Sequence, residues 1–139
     1  MEATEALDLI GSLVSSLKTY AAKLPAVSHM VMPGGIKPAP EAVEAYEQAV
    51  LRYRKQAGTS PYRRVTDALM ESLEAFEGGR LLAAVQPLLM SLDLFDLMQR
   101  EQVLKLTPAE EKRVGEYRMA LQKILPGKDP ELKGAGKGL

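Results

Sequence analysis

The chain has 139 residues, a formal net charge of zero, 46% hydrophobic and 26% charged residues, which fits one domain with a real core and leaves nothing global to draw it to nucleic acid or an anionic membrane. It has no cysteine and one histidine, which excludes disulfides, thiolate nucleophiles and any two-histidine metal site within one chain. Its longest apolar stretch, residues 81–98, is broken by Gln86, Pro87, Ser91, Asp93 and Asp96, and its opening MEATEALD is acidic where a secretory signal is basic, so a cytoplasmic chain without a membrane span is expected.

A first helix is predicted over residues 2–24. Ala3, Leu7, Ile10, Val14, Leu17, Ala21 and Leu24 step alternately by four and three, a heptad seam, and Ala6, Leu9, Leu13 and Tyr20 widen the apolar face. Such a helix lies lengthwise along another, in the same chain or a neighbour.

Pro25 ends it. Residues 25–40 form a proline-rich connecting arm, where Gly34-Gly35 and the prolines forbid a helix; Pro33-Gly34 suits a type II turn, so MVMPGGI could form a short hairpin. Val27, Met30, Val31, Met32 and Ile36 are apolar residues in this arm and are expected to dock on a partner, methionine being well suited to irregular pockets.

A second helix is predicted over residues 40–57 with Val43, Tyr46, Val50, Tyr53 and Ala57 inward, stopped by Gly58. Ser60-Pro61 restarts a third with an N-cap and a first-turn proline; Tyr62, Val65, Leu69, Leu73 and Phe76 face in, and Gly78-Gly79 ends it. The fourth, residues 80–102, is apolar nearly all round and belongs in the centre of a bundle, kinked or split at Pro87. The fifth begins at Thr107-Pro108-Ala109-Glu110, a capping box, carries Val114, Tyr117, Leu121 and Ile124, and stops at Pro126-Gly127. Residues 126–139 read as a flexible Gly/Lys-rich tail. The expected fold is therefore all-α: one bundle of about five helices over residues 1–125.

No catalytic equipment stands out. Phosphate-loop, dinucleotide and GxSxG patterns are absent from the chain. His29 lies in the arm without a nearby carboxylate and reads as a loop histidine. Asp93 and Asp96 have a spacing that could hold one cation, but an ion pair from Asp96 to Arg100, four residues on, is the better reading. Neither a cofactor nor a metal is expected, and no enzyme activity.

The charges are laid out unevenly. The second helix carries Glu41, Glu44 and Glu47 early and Arg52, Arg54 and Lys55 late, in accord with its dipole. The third reverses this, with Arg63 and Arg64 before Asp67, Glu71, Glu74 and Glu77. An antiparallel hairpin of the two has a cationic tip at Arg52, Arg54, Lys55, Arg63 and Arg64, and an anionic base. With Tyr53 and Tyr62 interleaved, the tip is a candidate surface for nucleic acid or for an acidic protein; the alternative is a solvated turn with both tyrosines packed inward.

Two local likenesses complete the reading. LTPAEEKRVGEYRMALQKILP resembles the helix common near the ends of phage tail-fibre assembly chaperones; it covers one helix and lacks the tryptophan often found there. LKTYAAKLP and YRRVTDALMESL are similar to segments of small helical subunits of type III CRISPR effector complexes, at a spacing shorter than that family's and with two further helices after them. No family is assigned on these. The expected role is a non-catalytic interaction subunit, adaptor or chaperone in a larger assembly, with other protein subunits (itself included) as partners and a phage particle as one setting. The alternative is a small nucleic-acid-binding subunit of a ribonucleoprotein or DNA-packaging complex that uses the tip.

Overall fold

The computed structural model describes residues 1–23 and 37–125. Among the described residues five α-helices form the bundle: α1 Ala3–Lys23, α2 Pro40–Ala57, α3 Thr66–Glu77, α4 Leu81–Arg100 and α5 Pro108–Ile124, with a 3-10 helix Pro61–Val65 leading into α3. The described residues contain no strand. The expected MVMPGGI hairpin, His29 and the arm residues Val27, Met30, Val31, Met32 and Ile36 lie outside the described residues, as do Leu24 and the tail.

The heptad seam of α1 is its buried face. Leu7, Ile10 and Leu17 are wholly enclosed, with Ala3 and Val14 nearly so, and Ala6, Leu13 and Tyr20 widen it as expected. Three helices pack on α1: α2, α4 and α5. Along α5 the chain runs parallel to α1: Thr4 donates to Glu110 at 2.8 Å and Arg113 bridges Asp8 at 2.7 Å. Between them Gly11 faces the Tyr117 ring so closely that an added Cβ would overlap the phenol oxygen and stand 2.8 Å from Cζ. Arg113 donates to that oxygen from Nη2 at 2.7 Å, so the ring is fixed over the glycine. Along α2 the chain is antiparallel, the end of α1 meeting the start of α2.

Helices α2 and α3 form the expected antiparallel hairpin. Tyr46, early in α2, stacks on Phe76, late in α3, with centroids 4.4 Å apart, and Phe76 meets Tyr20 edge-on. The Tyr46 hydroxyl joins Ser72 Oγ, which donates to the Ala84 carbonyl at 2.7 Å. A buried hydroxyl costs folding free energy unless it is bonded; this chain satisfies two of them while tying α2 to α3 and α4.

One helix start differs from expectation in two ways. The third helix is 3-10 over Pro61–Val65 and α-helical only from Thr66. Ser60 does not cap it: its hydroxyl turns back to the Ala57 carbonyl at 2.6 Å and finishes α2 instead. By contrast, the capping box of α5 forms in both directions, Glu110 N–H to Thr107 Oγ1 at 3.2 Å and Thr107 N–H to Glu110 Oε1 at 2.9 Å.

Helix α4 packs against α1, α3, α5 and the 3-10 helix, which gives it the expected central place. It is not split at Pro87. The proline removes one amide and with it the usual helical donor to the Ala83 carbonyl, and Ala83 lies on the solvent-exposed side of the helix. The helix ends at Arg100, before the expected Gln102, because Gln102 turns left-handed at φ 62 and Val103 N–H reaches back to the Met98 carbonyl at 2.9 Å. Gln99 then straps the following turn, accepting from Leu106 N–H and donating to Glu111, both at 2.8 Å.

Candidate interaction surfaces

The hairpin tip is one of the two candidate contact sites in the sequence. Arg52, Arg54, Lys55, Arg63 and Arg64 are exposed and lie at one end of the bundle, but they do not form one patch. Arg52 and Lys55 line a groove between α1 and α2, whereas Arg63 and Arg64 line a shallow depression with Pro61 and Val103. Arg64 is paired with Glu101 at 2.7 Å, brought in by the end of α4. Burial raises the pKa of Tyr62, and the nearby carboxylates of Glu110 and Glu2 raise it further. The same end of the molecule is therefore acidic as well as basic. Reading α2 and α3 alone missed this, since the acids arrive from α1, α4 and α5.

Both tyrosines take the inward alternative. Tyr53 is enclosed and donates to the Tyr62 carbonyl at 3.0 Å, locking α2 to the 3-10 helix. The Tyr62 ring leans on Phe95, centroids 6.0 Å apart. Neither offers a face on which a base could stack, so Tyr53 and Tyr62 act in the core, and the tip's remaining resource is charge.

The Asp93 and Asp96 pair is held from another helix. Arg118 of α5 donates one Nη to both, at 3.0 Å to Asp93 and 2.8 Å to Asp96. Arg100, the expected partner, is not the one used. No group of three potential metal ligands occurs among the described residues. Helix α4 has the length and composition of a membrane span, but half of its residues are buried in protein.

No family model matches the chain, and no curated protein or solved structure matches it. The surface must speak for itself.

The surface shows an apolar face that sequence reading placed indoors. On the outside of α4, Met90 is 54% exposed and Leu97 38%. Ala83, Met90, Leu94 and Leu97 step by seven, four and three, so they share one stripe; Leu94 is half-buried. Val103, just beyond the helix, is also exposed. Burying such side chains against a partner is favourable by about 25 cal/mol per Å² of apolar surface. A signal for this was present: Gln86, Asp93 and Arg100 recur along one side of the helix and mark where solvent lies.

Two further large apolar residues are exposed, Met119 on α5 and Leu51 on α2. Leu51 is 41% exposed and lines a groove of about 980 Å³ together with the small residues Ser12, Ala45 and Ala49.

Proposed function

We propose that this chain is a non-catalytic helical subunit that works by binding other proteins in a larger assembly, as an adaptor or assembly chaperone. The observation that carries the reading is the outward stripe of α4, where the large apolar side chains of Met90 and Leu97 stand in solvent on the exposed side of a half-buried helix. Exposed large apolar side chains aligned on one face mark contact sites more than isolated ones do. The resemblance of α5 to a helix of phage tail-fibre chaperones makes a viral particle assembled in the cytoplasm the setting to try first.

The test is to replace Met90 and Leu97 together with lysine and compare the purified full chain with wild type for complex formation with the products co-expressed from its own genome. A stoichiometric complex lost in the variant, with melting unchanged, supports the reading. A complex that survives the double change moves the binding site elsewhere.

A second reading rests on Arg52, Arg54, Lys55 and Arg63, which are exposed and carry no ion pair among the described residues. They would hold a nucleic-acid backbone through phosphates alone. Binding of single-stranded RNA or duplex DNA measured across salt concentrations checks it: affinity should fall log-linearly with salt, and a flat response rules it out.

A further inference from the structure

Helix α2 carries a charge pattern that its own chain does not use. Glu41, Glu44, Gln48, Leu51 and Lys55 step by three, four, three and four, so they form one stripe along the helix, with Arg52 beside it. All six are exposed. The first turns are acidic and the last basic. None of the four charged side chains has an ion-pair partner among the described residues. They cannot pair within the helix, since acid and base are at least eight residues apart and helical pairs need three or four. The neighbouring α3 does not match them either. Because it runs antiparallel, its late acids Glu74 and Glu77 lie toward Glu41 and Glu44, and Arg63 and Arg64 lie toward Arg52 and Lys55. The helix dipole favours this order of signs but acts only within the terminal turns, and it gives no reason for an exposed leucine among the charges.

We infer that α2 pairs antiparallel with α2 of a second copy about a two-fold axis at Gln48. That operation sets each residue before Gln48 against the residue equally far after it. Seven away, Glu41 meets Lys55 of the other copy; four away, Glu44 meets Arg52. Three away, Leu51 meets Ala45, a small exposed residue that lines the α1–α2 groove. Every acid faces a base and the exposed leucine faces a cavity, with each contact made twice, as an isologous interface requires. A second copy is the occupant that brings the complement of this stripe, because the stripe is its own complement under that rotation. Leu9 and Ser12 of α1, which line the same groove, extend the contact beyond one helix. This surface is separate from the α4 stripe and stands whether or not α4 binds a partner.

The experiment is sedimentation of the full chain at low salt, wild type against two charge variants. One carries Glu41→Lys and Glu44→Arg, the other Arg52→Glu and Lys55→Glu. Wild type should be dimeric and dissociate more readily as salt rises. Each variant alone sets like charges face to face and should dimerise on the order of a hundredfold more weakly. Mixed in equal amounts the two should form a heterodimer, because every pair is again opposite in sign. A Gln48→Cys chain, in a protein with no other cysteine, keeps all charges and should cross-link to itself across the axis on mild oxidation, which keeps the test decisive if a charge variant fails to fold. A monomeric wild type at high micromolar concentration overturns the inference. So does a dimer indifferent to both charge variants, or one lost only when Met90 and Leu97 are changed.

Discussion

Helices α1 and α4 are both long and rich in leucine, yet they stand in the molecule differently. The apolar residues of α1 fall on one seam, and that seam is buried from Ala3 to Tyr20. Helix α4 has more apolar residues spread round its circumference, and part of that circumference faces solvent at Met90 and Leu97. The difference is one of contrast. A helix with a polar side announces which way it faces, whereas one that is apolar all round says only that much of it is buried. What faces out on such a helix is decided by where its neighbours run out.

The comparison can be broken first on the inward side. Ile10→Asp or Val14→Asp places a carboxylate where no water reaches, at a cost of at least about 4 kcal/mol, comparable to the whole stability of a small domain. Circular dichroism should show the helical signal lost or the melting temperature sharply lowered. Wild-type melting in both would mean the seam is not core.

Gly11→Ala is a finer probe of α1. Helix propensity alone favours alanine by about 1 kcal/mol. The Tyr117 ring, fixed by Arg113, leaves no room for the new methyl, so a net loss of about 1–2 kcal/mol is expected. Denaturant unfolding gives the sign directly, and a gain would show that α5 can step away.

A smaller effect is expected at the start of α5. Thr107→Ala should cost about 1 kcal/mol by removing the cap to Glu110 N–H. The Glu110 carboxylate is held below its ordinary value of 4.5, first by the Thr107 backbone N–H and then by the Thr4 hydroxyl. A depressed carboxylate adds stability that is present above that value and lost as pH falls through the folded one. Wild type should therefore weaken on acidification below about pH 4.5, and Glu110→Gln should remove that component of the slope in pH-dependent melting.

The smallest effect completes the comparison. Replacing Met90 and Leu97 with serine should change stability by no more than about 0.5 kcal/mol, as at most surface sites. A loss of several times that would return the outer face of α4 to the core.

Much of the fold was legible because its signals were local. The bounds of α2, the capping box of α5 and the seam of α1 each rest on residues a few positions apart. What was hidden depended on distant ones. Gln102 gives no hint in sequence that it will turn left-handed and end α4. Arg118 captures Asp93 and Asp96 from a helix 22 to 25 residues on, and Glu101 neutralises Arg64 from 37 residues away. The tip looked cationic because sequence shows charges along a chain, and electrostatics depends on which chains meet. Leu51 was passed over because a single leucine among charged residues carries no period of its own.

The parallel contact between α1 and α5 has a consequence for the order of assembly. Its bonds join residues 105 and 106 positions apart, Asp8 to Arg113 and Thr4 to Glu110, while α2, α3 and α4 meet their neighbours through short connections. Closing a long loop is the slower event, so the middle helices can associate early and the contact between α1 and α5 forms late. During synthesis α1 emerges before α2, α3 and α4 and meets its α5 neighbour only after all three have been made. A chain stopped before α5 would hold its middle helices and present the α5-facing side of the α1 seam to whatever lay nearby.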